Sequence, residues 1–567
     1  MILSVKLLLK WSACGLMLVT GALGWGTKAY SVSPIQYQIQ RSRSFQEVYS
    51  PLGTGENDRI VDVGSPIMIR VGLMVEEREI SVTGRGSFVV RVGDQTFEAR
   101  AGEQWKTRWI SGQKARVEHL PIVGSFDFAQ EAQAKELAQS WKAKGHEAEI
   151  VPTGVRLFSD DTLLSDTRRL LVRVNHYEDE GQAKGFLNDL NELKADDPSW
   201  LLERPIELQS GIVAVIDPRG IERGRGSKVS FESSQPLKVF RVHHDVGFPQ
   251  EGYEDREYEG SIHIVFDKKG LLAAVNRIEL DAYLRGVVPS EIYASDPADT
   301  IRAQAVAARG ETLARLGTGN ETEPFDICSD QNCQVYTGLK AQAQSTNEGV
   351  EATRGEVLKQ DSRIVNAVYC DTCGGHSENV ENVWTTSPNP SLVGVEDSPK
   401  GQSGFPRSLT EESLSRWIAS SPPCFCRGEG SKINPKFRWT VELTSTDLDT
   451  RINKLYSVGS VKELVPGERG VSGRLKSLKV VGDKGEVVIR KEYPIRKALG
   501  GLNTALFVVT ATRDLSGKPI RWIFRGAGWG HGVGLCQVGA RWAARAGMDY
   551  KAILTHYFKQ CGIVKVY

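Results

Sequence analysis

From residue 61 to 108 the chain alternates apolar and polar positions in short runs divided by glycine-containing turns. PIMIRVGL, EISVTG, SFVVRVG and QTFEARAG have the period of two that sets one face of a strand on a core. They predict a small β-module over 55–112. The pattern then changes. LPIVGSF reads as a strand, 129–144 as a helix closed by Gly145, HEAEIV and RRLLVRVNHY as strands, and 179–193 as a second helix. A β-α-β-β-α order predicts helices on one face of an antiparallel, ferredoxin-like sheet over 113–205. Short strands return from 211 to 280. After them Ile301, Ala305, Ala308, Thr312 and Leu316 recur at helical spacing and predict a helix with one narrow packing face. Ser295 or Asp296 suits its cap, Pro297 its first turn and Gly317 its end. That places Glu291 in a short loop between two packed elements. Beyond Leu316 strands dominate, with helices at 345–353, 409–418, 495–499, 537–546 and 550–558. The fold class is α+β, multi-domain.

Composition adds bounds. A chain of 567 residues implies roughly three or four domains of ~100–200 residues. Its 71 basic and 70 acidic residues leave a net charge of +1, with no field to attract nucleic acid. Lys6 and Lys10, the apolar run 11–25 and Thr27-Lys28-Ala29 predict a signal peptide or uncleaved signal anchor over 1–29. The expected location is therefore periplasmic, wall-associated or extracellular, with membrane contact only through that anchor. Of nine cysteines, eight follow Cys14: Cys328, Cys333, Cys370, Cys373, Cys424, Cys426, Cys536 and Cys561. An even number in an exported chain suits disulfides, with connectivity left open.

Four separated motifs carry a resemblance. LDAYLRGVVPSE with AQAVAAR, DICSDQNCQVYTG (326–338), GGHSENVENVW (374–384) and GAGWGHGVGLCQVGARWAA (526–544) resemble the SpoIID/LytB (stage II sporulation protein D) family. This assigns 206–567 to a SpoIID/LytB-like domain, with a motif core at 258–400 and a β-rich part carrying GWGHGVG at 430–567. Within 113–205, VGSF, LLVRV and the tyrosine of HYEDEGQAKGFL resemble a SPOR domain, which implies binding to glycan strands stripped of stem peptides. The expected architecture is a mixed, β-rich SpoIID-like core with an inserted βαββαβ module.

The SpoIID resemblance implies a peptidoglycan lytic transglycosylase with Glu291 as catalytic residue. In that reaction the C6 hydroxyl of the muramic sugar attacks its own anomeric carbon, so one protein acid, later a base, suffices. Such an acid needs a raised pKa. Val287, Val288, Pro289, Ile292 and Tyr293 favour this by desolvation, whereas a following helix N-terminus opposes it. The resemblance implies groove residues among Gln304, Gln334, Tyr336, His376, Trp529, His531 and Gln537, with Arg302 near them. This chemistry requires no cofactor. Zinc is the alternative: some family members hold it with histidine and cysteines near DICSDQNCQVY, and Cys328, Cys333, Cys370, Cys373 and His376 are the candidates here. A second functional reading is a non-catalytic wall-binding protein that enhances an N-acetylmuramoyl-L-alanine amidase. A third is a zinc hydrolase built on the 370 loop and His531.

Overall fold

In the computed structural model the described residues are 60–193, 199–244, 251–317, 322–384, 386–399, 402–429 and 433–567. The expected signal or anchor at 1–29 lies outside them. Among the described residues no helix is long and apolar enough to cross a membrane.

Two antiparallel sheets bury their alternating apolar faces in one core. A six-stranded sheet runs in the order Glu222–Gly226, Ser210–Ile216, Trp105–Gln113, Glu79–Gly84, Leu237–His244, Gly252–Tyr258. A seven-stranded sheet runs Ile327–Cys328, Met68–Glu77, Leu272–Glu279, Ser261–Phe266, Val229–Glu232, Phe88–Val92, Gln95–Ala99, with only its first pair parallel. Val71, Val82, Phe231, Val239 and Ile264 from both sheets meet in a single cluster. The segments 55–112 and 206–280, read along the chain as separate units, thus share both sheets. Met68–Glu77 pairs with Leu272–Glu279 across about two hundred residues, which alternation within either run cannot reveal.

The segment between them forms its own layer. Strands Trp200–Glu207, Arg116–Phe126, Arg169–Val174 and Ala148–Thr153 lie in that order, all neighbours antiparallel. Helices α1 (Glu131–Ala143) and α2 (Glu180–Leu193) pack on one face through Ala134, Ala138, Trp141 and Leu190. A hairpin that the sequence pattern does not predict, Arg156–Ser159 with Thr162–Asp166, turns at Asp160 with φ 50°. Its Leu157 and Leu164 enter the main core, and Ser165 Oγ accepts from Ile364 N–H at 3.0 Å, which docks the layer on the rest.

Helix α3 (Leu280–Glu291) follows the core strand Leu272–Glu279 and ends on Glu291 itself, not on a loop. Pro289 is tolerated because it lies in the last turn and removes only one intrahelical donor. Helix α4 (Ala298–Arg315) is capped at Pro297; Asp296 instead pairs with Arg541, Arg541 Nη2 to Oδ2 at 2.9 Å. Rather than one narrow face, α4 buries nearly its whole circumference. Ile301, Ala305 and Ala308 enter the first core, while Ala303, Val306 and Ala307 enter a second, built with Val365, Leu535, Ile553 and Tyr557. Alanine fits either core, so its spacing marked only one of the two faces.

Close approach fixes α3 in place. A Cβ on Gly286 would meet Tyr336 Cε2 at 2.6 Å and Gly338 O at 2.8 Å. Gly286→Ala should therefore destabilise by ~1–3 kcal/mol through overpacking, measurable as a lowered melting temperature; an unchanged value would show that the ring has room to shift.

Candidate active site

Glu291 closes the last turn of α3, so the negative end of the helix dipole lies beside its carboxylate and opposes ionisation. The sequence reading weighed the opposite end, that of the following helix. The side chain is half-buried at the wall of a cleft of about 500 Å³, lined also by Ser290, Tyr293, Asp371, Asn434, Lys436, Gln537, Arg541 and Trp542.

Val335 N–H donates to Glu291 Oε1 at 2.9 Å, and Gln537 Nε2 reaches Oε2 at 3.4 Å. The Tyr369 hydroxyl lies beside the same group. Burial dominates over these donors, and the nearby Glu311 carboxylate adds to it, so the carboxyl is pushed up to about 7. Glu311 is itself buried and raised, held by Arg315 at 2.8 Å and by Gln334 Nε2 at 3.1 Å. The second cleft carboxylate, Asp371, is paired with Lys436 Nζ at 2.7 Å and accepts from Thr372 Oγ1 at 2.6 Å. One carboxyl is thus poised to hold a proton near neutrality, and the other is engaged by a cation. The first suits proton donation, the second a fixed local charge.

Of the groove residues that the resemblance implies, only Gln537 lines the cleft with Glu291. Trp529 is exposed and takes Lys436 Nζ over its ring at 4.6 Å, bordering the cleft through that lysine. The others do not line it. Tyr336 is buried and donates to Asn276 Oδ1 at 2.9 Å. Gln334 is fully buried; its amide donates to Ala308 O at 3.1 Å and accepts from Tyr283 and Thr312. Gln304 is buried within α4, and Arg302 reaches Asp299 on its own helix. His376 Nδ1 lies 2.7 Å from Ser377 O, with its ring against Phe405. His531 donates through Nε2 to Tyr369 O at 2.8 Å and accepts at Nδ1 from Val533 N–H at 3.0 Å, which makes it a neutral tautomer. Burial pushes it down to about 3. With both ring nitrogens engaged, it cannot serve the zinc-hydrolase reading.

The zinc set drawn from sequence does not converge either. Cys328 and Cys333 are joined as a disulfide, no histidine lies between His263 and His376, and His376 faces backbone. Cys370 and Cys373 sit in the second core beside Cys426 and Cys536.

Sequence reasoning missed Asp371, Lys436 and Arg541. For Arg541 a signal existed: it stands four residues after Gln537, the same-face spacing of a helix, and α5 (Gln537–Arg545) carries both into the cleft. Asp371 and Lys436 meet only in space.

Two stretches of the chain match families of known sequences. Residues 268–359, which contain Glu291 and α4, match the stage II sporulation protein family (SpoIID). They form a SpoIID-family domain. Residues 378–534 match a domain of unknown function. The chain is 27% identical over 299 residues to the amidase enhancer of Bacillus subtilis (strain 168), an alignment covering 48% of this chain and 39% of that protein. It is 26% identical over 301 residues to the stage II sporulation protein D of the same organism, covering 50% of this chain and 74% of that protein. An uncharacterised protein of Brachyspira hyodysenteriae is 27% identical over 310 residues, 54% of this chain and 72% of that one.

Proposed function

We propose that this SpoIID-family chain is an exported cell-wall protein that cleaves glycan strands as a lytic transglycosylase, with Glu291 as the single acid and base. The observation that carries this reading is the Glu291 carboxyl, raised to about 7 at the wall of an open cleft. Protonated, it donates to the departing glycosidic oxygen. Ionised, it then accepts the proton of the attacking C6 hydroxyl, so no protein nucleophile is needed. Gln537, Arg541 and the rings of Tyr293 and Trp542 offer donors and stacking surfaces for a sugar chain. The four-stranded layer at 113–205 is the SPOR-like part, and its binding to peptide-stripped strands would raise their concentration at the cleft.

Incubation of the chain with peptide-stripped glycan strands is expected to yield anhydromuramyl ends by mass spectrometry. Intact strands retained on the protein would reject the enzymatic reading. They would favour the second one, enhancement of a wall amidase, which the name of the Bacillus subtilis relative supports. Gln537→Glu sets a second carboxylate about as close as the present 3.4 Å contact. Like charge raises Glu291 further, so the alkaline limb of kcat/KM against pH should move up by about 1–2 units. A limb that stays in place would remove Glu291 as its source.

A further inference from the structure

The second core contains a group of donors that the cleft chemistry does not use. Cys373, Cys426, Cys536 and Asp397 are all buried, and one ligand atom from each lies within 4.8 Å of the others. We propose that these four side chains bind one zinc ion as a closed, structural centre.

The geometry is that of a tetrahedral thiolate site. Zn–S bonds of about 2.3 Å imply sulfur–sulfur edges of about 3.8 Å. Cys373 Sγ and Cys426 Sγ are 3.8 Å apart, far beyond the ~2.05 Å of a disulfide. Cys536 Sγ accepts two backbone N–H groups, from Cys373 at 3.2 Å and from Gly539 at 3.4 Å, which orient the sulfur and stabilise its charge. Cys373 leads into Gly374 and Gly375, with φ of 84° and 112°, a turn that residues with side chains rarely adopt.

Asp397 supplies the oxygen donor. It is fully buried, and its hydrogen bonds come from neutral groups: Cys426 N–H to Oδ2 at 2.8 Å and the Tyr557 hydroxyl to Oδ1. A carboxylate facing three sulfurs in an apolar core is strongly unfavourable without a cation between them. Four protein donors leave no open position, which separates this centre from a hydrolytic metal site. Its place in the chain gives it a function. Asp371 lies inside the Cys370–Cys373 turn, and Gln537 follows Cys536, so the ion would hold two cleft residues in position from behind.

The purified chain is expected to carry one zinc per molecule by elemental analysis. Replacement by cobalt(II) should give thiolate charge-transfer bands in the near ultraviolet and the visible bands of a tetrahedral ion. Cys426→Ser and Asp397→Asn should each lower zinc affinity by ~100-fold or more, whereas Cys424→Ser and Cys561→Ser keep full occupancy. Because Cys426→Ser can also misfold, the zinc content and cobalt spectrum of the unaltered chain decide first. Metal-free protein with a Cys373–Cys426 disulfide in a non-reducing peptide map overturns the proposal. Loss of zinc in Cys370→Ser with retention in Asp397→Asn overturns the assignment of Asp397 as fourth ligand.

Discussion

Glu291→Gln should lower glycan cleavage by ~10²–10⁴-fold while leaving the chain folded and, above pH 7, more stable than its parent. The amide is nearly isosteric, its oxygen can accept from Val335 N–H, and Gln537 can rotate its own amide to match. The stability change follows from linkage. The folded carboxyl titrates near 7, above its ordinary value of 4.5. Between those two values the native state holds a proton that the unfolded chain has released. Stability from this group is therefore complete below 4.5 and is lost as pH rises through about 7. A difference of about 2.5 units corresponds to an upper limit of about 3 kcal/mol, reduced because one side of the group faces the open cleft. Melting temperatures of parent and variant should converge near pH 4 and diverge in favour of the variant at pH 8. Equal gaps at both values would mean an ordinary carboxyl, and the proposed acid would be lost with it.

The second large effect lies behind the cleft. Arg309 of α4 is fully buried and joins the elements that hold α3. It donates to Asp281 Oδ1 at 2.8 and 3.1 Å, to Val350 O at 3.2 Å, to Glu356 O at 3.1 Å and to the Tyr567 hydroxyl at 3.1 Å. Arg309→Met would leave the Asp281 charge and two carbonyls without these donors. Loss of one partner of a buried pair typically costs ~3–5 kcal/mol. Tyr567 at 3.1 Å and Arg354 at 3.7 Å still face Asp281, which holds the expected loss to the lower part of that range. Adding Asp281→Asn should recover part of it, with a coupling of ~0.5–3 kcal/mol in a double-mutant cycle of denaturant midpoints. Strict additivity would show that the two side chains act independently. Because Glu291 ends the helix that begins at Leu280, the single variant should also lose cleavage activity.

Much of the local structure was legible. The β-α-β-β-α order at 113–205, the strands of 68–99 and the helices near 537 and 550 all appear where periodicity and turn residues place them. Three features were not. Strand alternation reveals a buried face but not its partner, so the shared sheets of 68–113 and 210–279 stayed hidden. The alanines of α4 are small enough for two cores, and their spacing revealed one. His531 stands in a glycine-rich motif that reads as part of the sugar groove; its two backbone hydrogen bonds make it a brace.

The site divides along the same line. The sequence by itself determined that Glu291 follows an apolar run and that Gln537 and Arg541 stand at the spacing of one helix face, because both relations are local. Tertiary structure alone decided that this carboxyl holds its proton near pH 7 and that Cys373, Cys426, Cys536 and Asp397 converge. Burial raises the first, and the groups that adjust it, Val335, Glu311, Tyr369 and Gln537, arrive from segments 20 to 246 residues away. A pKa or a ligand sphere is a sum over neighbours in space, and chain spacing does not encode that sum.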